Sequence, residues 1–277
     1  MQDLADKTAV VTGAGSGIGR AVALNLARNG MRVAILDIQG EAAEKVAAEA
    51  RALGAKAWAA ACDVSDGDAT SELVKSFGRV GVLVANAGVT AFERFANMRE
   101  ADLDWIYAVN FLGVSRLVRT VLPDMIAAGE GHIVVTSSMA GLVPTWAPIH
   151  VPYVATKAGI LGMVLNLRPE LAEHGVGCTV VCPGGVTTNI LDSPKRRPER
   201  FGGASAMPIE TPKGFGSASA PRYRQRTPGE VAAMIESAIR RNQPLVVTDS
   251  SMRELFKAYA ATVLQAFDAA AEWDRDP

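Results

Sequence analysis

The sequence predicts an α/β fold: a single-domain, doubly wound sheet, mostly parallel and seven-stranded, with helices on both faces. Three observations support this prediction. Short apolar runs alternate with longer stretches of helical periodicity. A glycine-rich turn joins the first apolar run to the first helical one. Residues suited to ligand binding follow the strands at their carboxyl ends, where ligands collect in such sheets; they are Gly13, Asp37, Asp63, Asn86, Ser138 and Pro183.

The same alternation predicts the individual elements. The predicted strands span residues 7–12, 31–36, 56–61, 80–85, 131–137, 176–182 and 244–248. The predicted helices span residues 17–29, 40–53, 67–77, 99–128, 152–174 and 227–241. Right-handed crossovers between parallel strands place helices on both faces of the sheet.

The tail, residues 250–277, is predicted to form one more helix. Its apolar side chains recur at helical spacing and make a single stripe; they are Leu255, Phe256, Tyr259, Val263, Leu264 and Phe267. We expect this helix to pack on its own subunit or on a neighbour. The alternative is that it roofs a substrate pocket.

The turn after the first strand has the chemistry of a phosphate cradle. The spacing is Gly13-x-x-x-Gly17-x-Gly19, preceded by Thr12. Glycines permit a tight turn and a close approach of the backbone to a pyrophosphate. The helix that follows presents free N–H groups and the positive end of its dipole. The alternative is an ordinary strand–helix loop.

The second strand is followed by an acidic residue, Asp37, and then by Ile38. A carboxylate about 20 positions beyond the glycines suits hydrogen bonds to both ribose hydroxyls and repels a 2′-phosphate. Ile38 supplies no positive charge. The pair predicts NAD rather than NADP as the cofactor. The alternative is that Asp37 only closes the strand.

Three residues supply acid–base chemistry. Tyr153 and Lys157 stand one turn apart on one face of a predicted helix, and Ser138 lies upstream. We expect the ammonium to lower the cost of ionising the phenol. A hydroxyl at Ser138 could hold the same substrate oxygen, which suits an alcohol or a carbonyl. Alone, the Tyr-x-x-x-Lys pair would be a chance pair on a solvated helix.

Taken in order, the motifs resemble the short-chain dehydrogenase/reductase family over residues 5–250. The motifs are Thr12-Gly-x-x-x-Gly-x-Gly19, Asp63-Val64, Ala85-Asn86-Ala87-Gly88, Asn110, Ser138, Tyr153-x-x-x-Lys157 and Pro183-Gly184. The resemblance implies a Rossmann-type fold, with a dinucleotide-binding and catalytic domain at 1–250, a substrate lid at 187–227 and a C-terminal helical extension of the same domain at 251–277.

The resemblance also implies residue roles. Tyr153 would transfer the proton, Ser138 would orient the substrate oxygen, and Lys157 would also hold the nicotinamide ribose. Asn110 would bend a helix and hold a water relay to the lysine, and Asp63 would bind the adenine amino group. The cofactor-binding residues implied are Gly13, Ser16, Gly17, Ile18, Gly19, Asp37, Ile38, Asp63, Val64, Asn86, Gly88, Tyr153, Lys157, Pro183, Gly184, Val186 and Thr188.

The predicted function is an NAD(H)-dependent oxidoreductase that interconverts a secondary alcohol and a ketone, acting on CH–OH with NAD+ as acceptor. Met139, Trp146 and Phe201 favour a hydrophobic or aromatic substrate. The alternatives are a nucleotide-sugar epimerase or dehydratase on the same scaffold, and a non-catalytic dinucleotide-sensing protein. The basic residues 195–197 of the lid are predicted to be solvated or to contact a subunit; the alternative is that they bind an anionic substrate.

Composition limits the partners. With a net charge of −1 and 49% apolar residues, nothing indicates nucleic acid or an anionic membrane. No apolar run reaches the length of a membrane span, and the first residues lack the features of a signal peptide. Cys62, Cys178 and Cys182 are an odd, unpatterned set, which argues against a disulfide framework and predicts a reducing, cytoplasmic compartment. Cys178 and Cys182 are expected to be buried structural thiols, and no metal is predicted; the alternative for their spacing is a metal site. The resemblance implies a homodimer or homotetramer; the alternative is that the long helices are satisfied within one subunit.

Overall fold

The computed structural model describes residues 1, 3–145, 148–205 and 224–273. Within them, seven strands form one parallel sheet in the order β3-β2-β1-β4-β5-β6-β7. The strands are β1 (Thr8–Thr12), β2 (Arg32–Asp37), β3 (Ala57–Ala61), β4 (Val80–Ala85), β5 (Gly131–Thr136), β6 (Val176–Cys182) and β7 (Leu245–Val247). The predicted doubly wound sheet is confirmed, and each predicted strand boundary lies within one residue of the observed one.

The helices largely follow the prediction. They are α1 (Gly17–Arg28), α2 (Gly40–Ala52), α3 (Gly67–Ser76), α4 (Glu100–Tyr107), α5 (Val114–Ala128), α6 (Met139–Leu142), α7 (Val151–Ala172), α8 (Pro228–Arg241) and α9 (Arg253–Trp273). Local chemistry explains their ends. Thr227 and Glu230 form a capping box that starts α8. Gly129, at φ +63°, ends α5 in the left-handed conformation.

The strands are buried on both faces because helices cover both. Ala9 and Val11 of β1 pack in one apolar cluster with α1, α2 and α8. Val10, between them in sequence, packs in the other cluster with α3, α4, α5 and α7. Since successive strand side chains point to opposite faces, this alternation shows helices on each side of the sheet.

The predicted continuous helix at 99–128 is wrong at one place. A π-helical turn, Ala108–Gly113, separates α4 from α5. It contains Asn110, whose side chain is paired with the backbone of Val89 rather than exposed on a helix. Gly113 lies so close to Val64 that a Cβ there would stand 2.6 Å from the Val64 carbonyl oxygen. These two contacts draw the turn against the sheet, and wider turns of this kind are common at functional sites.

The tail helix α9 leaves the body of the protein. Near its start, Leu255 and Tyr259 pack on a small cluster that contains Met139 and Met252. Farther along, Leu264 and Phe267 are 62% and 68% exposed. Only the beginning of the predicted apolar stripe is therefore covered within the subunit. No helix among the described residues is long and apolar enough to cross a membrane.

Candidate active site

A cleft opens at the carboxyl ends of strands β1 to β6. The sequence-predicted residues on its wall are Gly13, Ser16, Gly17, Ile18, Asp37, Ile38, Asp63, Val64, Asn86, Gly88, Ser138, Tyr153, Lys157, Pro183, Gly184, Val186 and Thr188. The fold therefore brings together residues of the predicted motifs from the glycine-rich turn to Thr188. Gly19 and Asn110 do not reach the wall, and each has a role behind it.

The glycine-rich turn has the geometry of a phosphate cradle. Gly13 has φ +62°, a conformation that suits glycine. A Cβ at Gly19 would stand 2.2 Å from the carbonyl oxygen of Gly13, so this glycine lets α1 pack onto the turn. Ser16 makes no side-chain cap, and the first turn of α1 carries no acidic residue. The N–H groups of that turn remain available to an anion, which fits the pyrophosphate of a dinucleotide.

Asp37 closes the cradle on the side of β2. Its carboxylate accepts hydrogen bonds from the N–H groups of Gly15 and Gln39, each at 2.9 Å. These bonds hold a negative charge beside the glycine-rich turn. Ile38 is exposed next to it. A negative charge and an apolar side chain therefore lie side by side at the end of β2.

Asp63, after β3, is held by two partners. Ser65 donates to Oδ1 from its backbone N–H at 3.0 Å and from its hydroxyl at 2.6 Å. Arg200 donates to Oδ2 at 2.6 Å. The carboxylate that the family resemblance assigns to the adenine amino group is thus engaged by a residue of the lid.

Tyr153, Lys157 and Ser138 meet in the buried part of the cleft. Ser138 follows β5, and its hydroxyl caps α6 by accepting from the N–H of Ala140 at 3.1 Å. Tyr153 and Lys157 lie on one face of α7, with the lysine Nζ 5.6 Å from the centre of the phenol ring. Lys157 donates to the carbonyl oxygen of Thr136 at 2.8 Å. The three side chains lie on the wall of the same cleft as the glycine-rich turn.

Burial sets the ionisation of this group. It raises the pKa of the Tyr153 phenol above its ordinary value, and a hydrogen bond with Ser138 opposes the rise. Burial also lowers the pKa of Lys157 to about 8. The pKa of Tyr153 is therefore not below its ordinary value in this structure, contrary to the expectation from the lysine alone, because the burial of the phenol is the largest effect.

Asn110 supports the site from behind and is fully buried. Its Nδ2 donates to the carbonyl oxygen of Val89, and its Oδ1 accepts from the Val89 N–H, both at 2.9 Å. Nδ2 also approaches the Thr156 hydroxyl at 3.4 Å. The side chain therefore joins the π-helical turn to the segment after β4 and to α7. Asn110 lies in the π-helical turn Ala108–Gly113, where the resemblance implies a bend in the helix.

Part of the predicted lid contributes to the cleft wall. The 3-10 segment Ile190–Arg196 places Ile190, Ser193 and Arg196 there. The wall also contains Asn189 of the predicted lid and Ala87 of a predicted motif. The wall residues that sequence analysis missed are Cys62, Val89, Trp105, Val109, Thr136 and Ser137. Most of the missed residues are next to a predicted motif in the sequence. That position was the signal by which they could have been predicted. Residues 206–223 of the predicted lid lie outside the described residues, as does Trp146.

The basic residues of the lid differ from the prediction. Arg197 is buried and forms an ion pair with Asp102, each side chain being 1% exposed. Its Nε donates to the carbonyl oxygen of Gly203 at 2.8 Å. The expectation of a solvated or subunit-contacting cluster is therefore wrong for this residue.

Two apolar side chains that were predicted to favour a hydrophobic substrate lie elsewhere. Met139 and Phe201 pack in core clusters and are not among the residues of the cleft wall.

The cysteines are buried and free. Burial raises the pKa of Cys178 to about 12 and that of Cys182 to about 11, so both are thiols at neutral pH. Among the described residues, no cluster of acidic, histidine and cysteine side chains has the geometry of a metal site.

Comparison with known proteins gives concordant matches. The family model described as short chain dehydrogenase matches residues 7–198. The C alpha-dehydrogenase of Sphingobium sp. (strain NBRC 103272 / SYK-6) is 29% identical over 283 residues, which cover 100% of this chain and 90% of that protein.

Solved structures extend the similarity to the fold. A short chain dehydrogenase/reductase from Burkholderia phymatum, in complex with NAD, has a TM-score of 0.86 and 29% identity, covering 96% of this chain and 97% of that one. A metagenomic short-chain oxidoreductase in complex with NADP has a TM-score of 0.68 and 30% identity, covering 88% of this chain and 96% of that one. Proteins with this fold thus bind either nicotinamide dinucleotide.

Proposed function

The chain belongs to the short-chain dehydrogenase/reductase family of oxidoreductases, and from this premise we propose that it interconverts a secondary alcohol and a ketone with NAD(H). The observation that carries the proposal is the meeting of Ser138, Tyr153 and Lys157 on the wall of the same cleft as the glycine-rich turn. That cleft can hold a dinucleotide and present an acid–base group to its substrate.

Tyr153 is the proposed proton-transfer residue. In the oxidative direction its phenolate accepts the proton of the alcohol, and in the reductive direction its phenol returns that proton to the carbonyl oxygen. A bound nicotinamide would supply the hydride chemistry, as the hydride acceptor in oxidation and the hydride donor in reduction. Ser138 donates a hydrogen bond to the substrate oxygen and stabilises the charge that develops on it.

Lys157 and Asn110 have proposed supporting roles. Below its pKa of about 8, Lys157 is a cation, and a cation near the phenol favours the phenolate once the site is assembled. We assign Lys157 to the nicotinamide ribose as well. Asn110 bonds to the backbone of Val89 and contacts Thr156, and these contacts keep this wall of the cleft in position. We also propose that Asn110 lies on the route by which the proton reaches solvent.

We propose that the cofactor is NAD rather than NADP. The support is the Asp37 carboxylate, which two backbone N–H groups hold beside the glycine-rich turn, and the lack of a cation at Ile38. Among the cleft-wall residues that the structure describes, Lys157 and Arg196 carry the positive charges. Lys157 belongs to the acid–base group, and Arg196 comes from the lid.

We propose a hydrophobic or aromatic alcohol as the substrate. Apolar side chains on the cleft wall support this class; they are Val89, Trp105, Val109, Val186 and Ile190. Met139 and Phe201 do not support it, because those two side chains are not among the residues of the cleft wall. We further propose that residues 187–227 act as the substrate lid of the domain at 1–250, with residues 251–277 as its extension.

We propose that the protein acts as a homodimer or homotetramer in a reducing, cytoplasmic compartment. The exposed apolar stripe of α9 supports association, since an isolated helix gains most of its stability from packing. The three free, buried cysteines support a reducing compartment.

A substrate and cofactor panel tests the function. Purified protein is incubated with aromatic and aliphatic secondary alcohols, each with NAD or NADP, and the reduced cofactor is followed by absorbance. We expect turnover of bulky apolar alcohols with NAD. Absence of turnover with every alcohol and with the matching ketones plus NADH would contradict the proposal, and a consistent preference for NADP would contradict the assignment of Asp37.

A further inference from the structure

Three aromatic rings form a stack that ends at the Tyr153 phenol. The His150 imidazole lies parallel to the Tyr153 ring, with an interplanar angle of 0° and 4.2 Å between ring centres. The other face of the imidazole is covered by Phe92 at 4.0 Å and 23°. His150 is 5% exposed. The ring that carries the proposed proton-transfer oxygen is therefore held on one face by a buried imidazole.

The imidazole is tied in turn to the lid. His150 Nε2 and the hydroxyl of Thr90 share a short hydrogen bond. The N–H of Thr90 donates to Ser193 Oγ at 3.0 Å, and the Ser193 hydroxyl approaches the carbonyl oxygen of Thr90 at 3.3 Å. Ser193 lies in the 3-10 segment Ile190–Arg196 and on the cleft wall. A continuous line of contacts thus runs from the lid through Thr90 and His150 to Tyr153.

On the premise that Tyr153 transfers the proton, we propose that His150 is a positioning residue. It fixes the plane of the phenol ring, and through Thr90 and Ser193 it links that plane to the lid segment on the cleft wall. A ring that can tilt moves its oxygen away from the substrate, and small displacements of a reacting group reduce turnover strongly.

Two features around His150 oppose stability, and the second, a left-handed φ at the preceding residue, has no counterpart beside the buried His132 of β5. Among the described residues, Nδ1 of His150 has no hydrogen-bond partner, although it is buried. A phenylalanine would fill the same sandwich without an unpaired polar atom. The preceding residue, Ile149, has φ +55°, which is unfavourable for a β-branched side chain. A buried polar atom and a strained backbone together mark a place where function opposes stability.

The imidazole acts here as a neutral ring. Burial lowers the pKa of His150 to about 3, so it carries no charge at neutral pH. It therefore does not compete with Tyr153 as an acid or base. Its contribution is the stack and the hydrogen bond to Thr90, and these two can be separated by substitution.

The chain contains a matched control. His132, on β5, is also buried, shares a hydrogen bond through Nε2 with the hydroxyl of Thr179 at 2.8 Å, and has an unpartnered Nδ1 among the described residues. Its pKa is likewise lowered to about 3 by burial. His132 is not among the residues of the cleft wall. Substituting it reproduces the structural cost of removing a buried imidazole without touching the tyrosine.

The test compares His150→Ala, His150→Phe and His132→Ala with the wild type. Turnover of the best alcohol from the panel gives kcat and KM, NADH fluorescence gives cofactor binding, and thermal unfolding reports folding. We expect His150→Ala to lower kcat about 10- to 100-fold, with KM and NADH affinity within about threefold of wild type. His150→Phe keeps the stack and should recover most of the kcat. His132→Ala should lose stability and keep kcat.

The outcomes separate the two proposals. Wild-type turnover, together with an unchanged kcat in His150→Ala, would overturn the positioning role and leave the proposed function intact. Equal losses of kcat in the Ala and Phe variants would also overturn it, because the stack would then not be the cause. A His150→Ala variant that does not fold leaves the Phe variant to decide: near wild-type kcat supports the role of the ring, and a large loss contradicts it. A wild-type protein without dehydrogenase activity would remove both proposals.

Discussion

Arg200 of the lid donates a hydrogen bond of 2.6 Å to Asp63, the carboxylate assigned to the adenine end of the cofactor. The pair is partly solvated, with the two side chains 46% and 20% exposed. It joins the predicted lid to the loop after β3. An adenine amino group that binds Asp63 must share the carboxylate with this guanidinium or replace it.

We therefore expect Arg200→Ala to bind NADH more tightly than the wild type. Solvated ion pairs contribute up to about 1 kcal/mol, which limits the gain to roughly fivefold. Fluorescence titration with NADH measures it. Lys195→Ala is the matched control, because Lys195 is an exposed cation of the same segment that pairs locally with Asp192. Weaker binding by Arg200→Ala would show instead that the guanidinium itself contacts the nucleotide.

Cofactor choice is predicted to depend on the carboxylate beside the glycine-rich turn. The double variant Asp37→Ser with Ile38→Arg removes a negative charge and adds a cation at the place expected for a 2′-phosphate. Like charges in contact cost several kcal/mol, so the ratio of kcat/KM for NADP to that for NAD should rise about 100-fold. Initial rates with both cofactors measure the ratio. An unchanged ratio would mean that the adenosine ribose binds elsewhere.

The buried ion pair between Asp102 and Arg197 is predicted to hold the lid onto α4. Arg197 is also bonded to Gly203, and its guanidinium lies 5.8 Å from the Trp105 ring centre. Removing one partner of a buried pair leaves an uncompensated charge, so Asp102→Ala should lower the free energy of unfolding by about 3–5 kcal/mol. Urea unfolding measures the change.

A second variant identifies the cause of that loss. Replacing both partners, as in Asp102→Leu with Arg197→Met, should recover much of the stability, since no buried charge remains. If the single and double variants are equally unstable, packing rather than charge explains the effect. Lys195→Ala, which breaks an exposed pair of the same segment, should leave the unfolding midpoint close to that of the wild type.

The sheet could be predicted closely because its determinants are local. Each strand is a short apolar run followed by a turn residue, and β1, β4 and β6 end at the predicted position. The cleft could be predicted as well, since the carboxyl ends of parallel strands meet at one edge. The resemblance added Asn110, whose importance no local pattern indicated.

Features that depend on contacts between distant segments could not be predicted. The π-helical turn at 108–113 interrupts a stretch whose apolar periodicity continues across it, and it exists because Asn110 pairs with Val89. Arg197 sits in a run of basic residues that resembles a solvated cluster, yet it is buried against Asp102. The ring stack of Phe92, His150 and Tyr153 joins segments that are far apart in sequence. The pKa of Tyr153 depends on burial, which the sequence does not report.

The most direct test of the account is the Tyr153→Phe variant, because it removes the phenolic oxygen and retains the ring. It should bind NADH within about twofold of the wild type and fold normally, since the ring still packs on His150. Loss of a positioned acid–base group costs about 10²- to 10⁴-fold in rate, and we expect kcat to fall by that factor. A kcat close to that of the wild type, measured with the alcohol that the native protein turns over fastest, would contradict the assignment of proton transfer to Tyr153.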